Sequence, residues 1–205
     1  MRVAVLGAGV VGQALAGKLR ELGHDVAIGT RNPRDGAVTY AEAAASAELV
    51  VNATNGLASL EALESAGPEN LGGKLLVDVS NALDFSKGRP PIVGAGNDDS
   101  VAERIQRAHP DAKVVKTLNT VNNQVMVDPA AVPGDHVLFV CGNDEGAKRR
   151  TVELLGSFGW PAERVIDLGD ITAARAAELY VALWVQLMGA LGTPNFNISL
   201  SRASA

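Results

Sequence analysis

The chain has 205 residues, of which 47% are hydrophobic and 4% aromatic, with 22 glycines and a formal net charge of −5. This length and composition predict one α/β layered domain over residues 1–205, and they count against a disordered chain or an aromatic-rich β-sandwich. The negative charge also counts against a nucleic-acid partner or an anionic membrane, since both need a basic face.

Apolar runs of strand length alternate with helical patterns along most of the chain, which indicates a mostly parallel sheet with crossover helices. The predicted strands are residues 3–6, 26–28, 49–51, 74–79, 114–118, 137–141 and 165–168. The predicted helices run from after Gly12 to Gly23, then over about 40–47, 57–66, 101–108 and 145–158, with a last one from near 171. Residues 81–99 show neither period, so we predict a long loop there.

The C-terminal part of the chain is predicted to form a helix and a strand. Between Glu178 and Gly192 the last helix carries one strongly polar side chain, Gln186. A helix that is apolar on every side is buried, either inside one chain or between two. Residues 195–200 then alternate polar and apolar side chains like a half-buried strand. We therefore expect residues 170–205 to form a helix-and-strand appendage, and the chain to form a homodimer.

A glycine-rich turn lies between the first predicted strand and the first predicted helix. It has the pattern G-x-G-x-x-G, formed by Gly7, Ala8, Gly9, Val10, Val11 and Gly12. In this position the first glycine allows a tight turn, the second lets a pyrophosphate approach the backbone, and the third lets the helix pack close to the sheet. The turn therefore predicts a Rossmann-like, doubly wound fold that binds a dinucleotide; the alternative is a glycine-rich turn without a ligand.

The residues after the second strand predict which dinucleotide binds. A carboxylate at this point would bond the ribose hydroxyls of NAD, but the chain instead has Thr30, Arg31, Asn32 and Arg34. Arg31 can hold a 2′-phosphate through charge-assisted bonds and can stack on adenine, while Thr30 and Asn32 supply neutral donors. We therefore predict NADP(H) as the cofactor, with a solvated arginine as the alternative.

Small polar clusters follow three further strands. Ala53, Thr54 and Asn55 follow the third strand, and Ser80 and Asn81 follow the fourth. Ligands of open α/β sheets lie outside the carboxyl ends of the strands, so these residues are placed to meet the pyrophosphate and the nicotinamide ribose, although turn and capping roles explain each one equally well. The segment with Asn119, Thr120 and Val121 follows the fifth strand. Its neutral hydrogen-bonding side chains suit a site that orients a planar, amide-rich ring, and the alternative is a polar loop.

The sequence contains no evident acid–base, nucleophilic or metal-binding set. His24, His109 and His136 lack metal-ligand spacing and are predicted to be structural or solvated. The single cysteine, Cys141, lies in an apolar strand, where a buried and inert thiol is expected, in keeping with the cytoplasm. The most apolar later stretch, residues 179–191, is shorter than the roughly 20 residues that span a bilayer. Hydride transfer needs no such set, because the cofactor carries the chemistry.

The chain resembles the coenzyme F420-dependent NADP oxidoreductases, which are small Rossmann proteins that move hydride between NADPH and a deazaflavin. The resemblance lies in residues 7–12, 30–33, 78–83, 115–121, 124–126 and 196–200. It implies that Thr30, Arg31 and Asn32 bind the 2′-phosphate, and that Asn119 and Thr120 lie beside the nicotinamide and its hydride partner. It also implies that no side-chain acid or base is needed. Asn52 departs from the family pattern, which has an apolar residue there.

The expected activity is hydride transfer between NADP(H) and a small-molecule acceptor, either a flavin or the deazaflavin coenzyme F420. Two alternatives remain open. One is an NADPH-dependent imine or carbonyl reductase, although such enzymes usually add a large helical domain. The other is a non-catalytic NADP(H)-binding module that senses redox state.

Overall fold

The computed structural model describes residues 1–88, 90–94 and 96–203. Its centre is a seven-stranded sheet with the order β2-β1-β3-β4-β7-β8-β9. The strands of this sheet are Arg2–Leu6 (β1), Asp25–Gly29 (β2), Leu49–Asn52 (β3), Leu75–Asp78 (β4), Lys113–Thr117 (β7), Leu138–Gly142 (β8) and Val165–Asp167 (β9). Leu83–Asp84 (β5) and Ile92–Val93 (β6) form a separate antiparallel ribbon. Neighbouring strands of the main sheet are parallel except β7 and β8, which are antiparallel.

The helices cover both faces of the sheet. They are Val10–Glu21 (α1), Tyr40–Ala45 (α2), Ser59–Ala66 (α3), Pro68–Leu71 (α4), Val101–Ala108 (α5), Asn123–Val127 (α6), Glu145–Ser157 (α7) and Ala174–Leu191 (α8). Successive strand residues point to opposite faces, so Val3 and Val5 join the core under α1, α6 and α7, whereas Ala4 and Leu6 join the core under α2, α3 and α5. This arrangement confirms the predicted Rossmann-like α/β fold with a mostly parallel sheet and a C-terminal helix.

Three local features differ from the sequence-based expectations. The predicted loop over residues 81–99 contains the β5–β6 ribbon, and residues 68–71 form the short helix α4. Within that loop, Arg89 and Ala95 lie outside the described residues. Helix α1 begins at Val10 rather than after Gly12, because the chain already turns at Gly7.

The predicted terminal strand over residues 195–200 is wrong. This segment lies beside the start of β8, where the Val137 N–H donates to the Ile198 carbonyl over 3.0 Å. The Asn197 side-chain amide donates to the Val137 carbonyl over 2.8 Å and so occupies the acceptor that a pairing strand would use. The sequence alternation is present, but one backbone hydrogen bond and one side-chain hydrogen bond do not form a strand ladder.

The last helix is buried along one face and exposed along the other. A short 3-10 turn over residues 171–173 precedes it, and Asp170 caps that turn by accepting from the Thr172 N–H over 2.9 Å. Along α8, Ala177, Val181 and Val185 are buried, whereas Leu183 is 55% exposed. None of the helices in the described ranges combines the length and hydropathy needed to cross a bilayer.

The Cys141 thiol lies inside β8, as predicted. It is buried and has no disulfide partner. Burial raises its pKa to about 12, so the thiol stays protonated at neutral pH and is a poor nucleophile.

Candidate cofactor site

The glycine-rich turn lies at the point where the sheet topology reverses. Strand β1 is flanked by β2 on one side and β3 on the other, which opens a crevice at the carboxyl ends of these strands. Gly7 has a φ of +116°, and a Cβ atom there would lie 2.6 Å from the Ala53 carbonyl oxygen. A Cβ on Gly12 would lie 1.9 Å from the Gly7 carbonyl oxygen. Both positions therefore require glycine for packing.

Gly9 differs from its two neighbours because nothing lies within 4 Å of the position that its Cβ would take. It is the N-cap residue of α1, whose first turn has no side-chain cap and no acidic residue. The first N–H groups and the positive end of the helix dipole therefore face an open side of the turn, which is the arrangement that binds phosphate. Val10 is 74% exposed at this edge, while Val11 packs against the core.

A cavity of about 370 Å³ opens beside this turn. The predicted residues that line it are Gly7, Gly9, Thr30, Arg31, Asn32, Ala53, Thr54 and Asn55. Sequence reasoning missed five further residues that line the cavity, namely Tyr40, Ala58, Glu61, Ala62 and Ser65. Tyr40 is the first residue of α2, and the other four lie in α3 or at its N-cap, in segments whose sequence pattern is that of ordinary amphipathic helices.

A second cavity, of about 270 Å³, shares Thr30 and Asn32 with the first one. Ala8 and Arg34 also line it, together with Gln13, Arg20 and one acidic residue, Asp35. Throughout the described part of the chain, neither Arg31 nor Arg34 forms a salt bridge. Two guanidinium groups without carboxylate partners therefore stand at the rims of adjoining cavities at the end of β2.

A buried polar network connects the first cavity to the centre of the sheet. The Asn52 amide donates to Asp78 over 2.8 Å and to Ser59 over 3.0 Å. Its side-chain oxygen accepts from the Thr54 hydroxyl over 2.7 Å. Asn52, which departs from the family pattern, is thus fully bonded and holds the cavity residue Thr54 in place.

Lys116 is a fully buried charge at this end of the sheet. Its Nζ lies 2.8 Å from Asp78 Oδ2 and 2.9 Å from Glu178 Oε1, and it donates to the Ser80 carbonyl over 2.5 Å. Burial acts to lower the pKa of Lys116, but the two carboxylates outweigh burial and raise that pKa above its ordinary value. Glu178 also accepts from the Val101 N–H over 2.8 Å, so it ties α8 to the start of α5.

The segments that follow β4 and β7 are bonded to each other. Asn81 donates to the Asn119 carbonyl over 2.8 Å, and the Asn119 amide donates to Asn81 Oδ1 over 3.1 Å and to the Ala177 carbonyl over 3.0 Å. Leu118 has a φ of +61°, and the Asn119 N–H donates to the Thr117 carbonyl over 2.8 Å. This tight, left-handed turn is strained for a leucine, and such strain is concentrated at functional sites.

Ser80, Asn81, Asn119, Thr120 and Val121 therefore lie together, as predicted from the topology, but they do not line the two cavities. The hydroxyls of Ser80 and Thr120 are buried and have no hydrogen-bond partner among the described residues. A native fold contains few such groups, so each of them calls for an explanation.

The histidines are not part of this site. His136 Nε2 lies 3.0 Å from the carbonyls of Pro129 and Val132, and its ring packs edge-on against Trp160. Burial lowers the pKa of His109. No group of three or more metal-ligating side chains occurs in the ranges that the structure describes.

Comparison with known proteins indicates the family to which this chain belongs. A family model described as NADP oxidoreductase, coenzyme F420-dependent, matches residues 2–82. A crystal structure of a proposed F420-dependent NADP reductase from Arthrobacter sp. FB24 is 51% identical, has a TM-score of 0.93, and matches over 98% of this chain and 100% of that one.

Two more distant matches are one by sequence and one by structure. The metalloreductase STEAP3 of Rattus norvegicus is 28% identical over 185 residues, which are 86% of this chain and 36% of that protein. The chain thus spans about a third of the length of the curated relatives that it matches. A reductive aminase from Aspergillus terreus was solved with NADPH and ethyl levulinate. It is 18% identical to this chain and has a TM-score of 0.65, and the match covers 93% of this chain and 62% of the aminase. That likeness shows the fold alone. The family model and the Arthrobacter structure together show that this chain belongs to the coenzyme F420-dependent NADP oxidoreductase family.

Proposed function

We propose that this chain transfers hydride between NADP(H) and the deazaflavin coenzyme F420. The observation that carries the proposal is the pair of arginines at the end of β2. Arg31 and Arg34 stand at adjoining cavities next to the glycine-rich turn, at the position where a carboxylate would select NAD. Their charge and lack of salt bridges suit the extra phosphate of NADP(H).

The residues that would hold the cofactor follow the crevice from β2 to β7. The backbone around Gly9 and the first turn of α1 would bind the pyrophosphate, and Thr30 and Asn32 would bond the phosphorylated ribose between the two cavities. The glycine-rich turn at residues 7–12 fits this role. Gly7 and Gly12 pack too closely against the backbone to carry a side chain, whereas the space beside Gly9 is free for a phosphate. Residues 53–55 would flank the pyrophosphate from the third strand.

The nicotinamide end of the cofactor would lie over β4 and β7. Ser80, Asn81, Asn119 and Thr120 offer neutral hydrogen-bonding groups there, and the unpartnered hydroxyls of Ser80 and Thr120 suit a carboxamide and a ribose. Bound NADPH supplies the hydride itself. The protein's contribution is then to hold the donor and acceptor carbons about 3–3.5 Å apart.

The acceptor would meet the cofactor at the carboxyl edge of the sheet, beside Val121. Val10 and Leu57 expose 74% and 60% of their surface at this edge, where they would offer apolar contact to a planar ring. A planar conjugated acceptor such as a deazaflavin fits this chemistry. We also propose that residues 1–205 act as one cofactor-binding unit, with residues 170–205 covering the nicotinamide end.

The decisive experiment pairs a charge reversal with an acceptor panel. Arg31→Glu is expected to weaken NADPH binding about 100-fold and NADH binding about twofold, because the 2′-phosphate loses a charge-assisted bond and meets a carboxylate. Arg149→Glu, a reversal at an exposed position on α7, is the matched control. Equal loss of both nucleotides in Arg31→Glu would contradict the NADP(H) assignment.

The acceptor is tested anaerobically by mixing the full chain with NADPH and coenzyme F420 and following absorbance. We expect F420 to be reduced faster than flavins or quinones. Preferential reduction of an imine or carbonyl compound would favour the reductase alternative. NADPH binding without any oxidation would favour a redox-sensing module.

We further propose that the chain forms a homodimer through the outer face of α8. Leu179, Leu183, Leu187 and Leu191 recur every four residues, and three of them are 39%, 55% and 57% exposed. A continuous apolar stripe of this kind marks an interaction surface. Light scattering should give twice the chain mass, and Leu183→Arg should halve it; a monomeric mass for the unchanged chain would reject the proposal.

A further inference from the structure

One wall of the 370 Å³ cavity is a single face of the α3 region. Ala58, Glu61, Ala62 and Ser65 line the cavity, and their spacing of three, four and seven residues places them along the same side of a helix. Ala62 is buried, whereas Glu61 and Ser65 are exposed. The wall therefore has an apolar floor of alanines and a polar rim.

Arg31 and Tyr40 form the facing wall of this cavity. Tyr40 opens α2, and burial raises the pKa of its phenol, while the charges of Arg31 and Glu61 act on it with opposite signs. The phenol therefore shares this cavity with one guanidinium and one carboxylate. The two walls form a slot with a flat apolar side and a facing guanidinium, which suits a planar purine ring.

The carboxylate of Glu61 is unusual in a cavity that would bind a phosphate-rich ligand. It makes no hydrogen bond and no ion pair with any residue that the structure describes, Arg31 included. An ionised carboxylate only accepts hydrogen bonds, so it would repel phosphates and needs a donor on the ligand. At the adenosine end of NADP(H), the donors are the one free hydroxyl of the phosphorylated ribose and the 6-amino group of adenine.

The position of Glu61 separates these two donors. The phosphorylated ribose would lie at Thr30 and Asn32, because these residues end β2 and line both cavities. Glu61 stands on the other wall, beside the apolar floor. The Ser65 hydroxyl donates its hydrogen to the backbone carbonyl of Glu61 over 2.8 Å. The hydroxyl oxygen of Ser65 can therefore still accept a hydrogen bond from a ligand. Two acceptors therefore converge on the edge of the slot where the base would sit.

We infer that Glu61 selects adenine as the base of the bound dinucleotide by accepting a hydrogen bond from its 6-amino group. The inference rests on the proposed binding of NADP(H), which it deepens by naming a residue that reads the base. Ser65 assists at the same edge of the purine ring, and Arg31 covers the face of the ring.

The test compares NADPH with its hypoxanthine analogue, in which a carbonyl oxygen replaces the 6-amino group. Dissociation constants are measured on the full chain by nucleotide fluorescence. The unchanged chain should bind NADPH about tenfold more tightly, because the analogue loses a charge-assisted bond and turns an oxygen towards the carboxylate. In Glu61→Ala the two constants should converge to within about twofold, through weaker NADPH binding and tighter analogue binding.

Glu64→Ala is the matched control, since Glu64 is an exposed carboxylate of the same helix that does not line the cavity. It should keep the tenfold preference, and thermal unfolding should show that both variants remain folded. The N1–H that hypoxanthine gains is at the neighbouring ring position, so a preference for NADPH requires a carboxylate that faces position 6.

The possible failures are distinguishable. If the unchanged chain binds NADPH and its analogue equally, or if Glu61→Ala keeps the preference, the inference is overturned and the proposed function stands. If neither nucleotide binds the unchanged chain, both are overturned.

Discussion

The two ends of the candidate site are built on opposite physical principles. At the end beside β2, which we propose to bind the adenosine, Arg31, Arg34 and Glu61 are exposed charges that form no ion pair with any described residue, on the walls of open cavities. At the end over β4 and β7, which we propose to bind the nicotinamide, Lys116 and Asp78 are fully buried and bonded to each other. Exposed charges cost a fold little and are available to a ligand, whereas buried charges must be paired for the chain to fold at all. We therefore expect substitutions of these charged residues to weaken binding at the first end and stability at the second.

The largest expected effect is the loss of the buried cation. Lys116→Met would leave Asp78 and Glu178 buried without their partner, which should lower the free energy of unfolding by about 3–5 kcal/mol. Lys113→Met removes a half-exposed lysine from the same strand and should cost at most about 1 kcal/mol. Urea unfolding of both variants measures the difference. Similar losses of unfolding free energy in the two variants would contradict the view that the buried charges over β4 and β7 mainly serve stability.

Gly9→Ala should separate binding from folding. The new methyl group meets no protein atom within 4 Å, but it stands on the side of the turn that a pyrophosphate would approach. NADPH affinity should fall at least about tenfold, with stability unchanged to within roughly 0.5 kcal/mol. Gly17→Ala, also open but in the middle of α1, is the control and should gain about 0.5–1 kcal/mol of stability with no loss of affinity. Unchanged NADPH affinity in Gly9→Ala would show that phosphate does not approach there.

Thr120→Val should show that the nicotinamide end gives up some stability for function. Its hydroxyl is buried without a partner, so its removal should stabilise the fold by about 1 kcal/mol and lower the rate of NADPH oxidation. Thr151→Val is the matched control. That buried hydroxyl donates to the Ala147 carbonyl over 2.8 Å, so its loss should destabilise the fold by about 1 kcal/mol without changing the rate. If Thr120→Val destabilises the chain as much as Thr151→Val does, the hydroxyl has a structural role.

The smallest expected effect concerns the contact between α5 and α8. Hydrogen bonds from the Arg175 guanidinium hold the pKa of Glu103 below its ordinary value of 4.5. A depressed carboxyl pKa stabilises the fold above the unfolded value, and this contribution is lost as the pH falls from about 4.5 through the folded value. Urea midpoints measured between about pH 6 and about pH 3 should therefore fall less steeply in Glu103→Gln than in the unchanged chain. Parallel curves would show that this pair does not contribute to the acid sensitivity.

The glycine-rich turn and the arginines that follow β2 could be predicted from the sequence, whereas the cavity wall formed by α3 could not, for a physical reason. The turn at residues 7–12 and the arginines after β2 are local signals, because glycine spacing and the residue type at a strand end carry the meaning. The α3 wall was not predictable in this way. Glu61 reaches the cavity only because α3 packs opposite Arg31 and Tyr40, and a single exposed glutamate on an amphipathic helix carries no such signal.

Lys116 is a second residue whose role could not be predicted from the local sequence, and it lies in the core. In the sequence it is one charge in a polar segment, and burial of a lysine is rare without a partner. Its partners come from β4 and from α8, and their convergence depends on the whole topology. The antiparallel direction of β8 is likewise invisible in the apolar pattern, since alternation is the same in either direction. The one local sign is the segment between β7 and β8, where the short helix α6 and a 3-10 turn over residues 129–131 form instead of a long crossover helix.

The reversal of β8 also determines the direction in which the chain leaves the sheet. Residues 169–171 bond to Gly142 and Asn143 at the edge opposite the cofactor turn, so α8 starts there and spans about 27 Å back across the sheet. Gly142 lets β7 and β8 approach closely, because a Cβ atom there would lie 2.6 Å from the Val114 carbonyl oxygen. We expect a methyl group at Gly142 to push β8 outward and to displace the start of α8, so that a substitution at this far edge would shift α8 relative to the segments that follow β4 and β7.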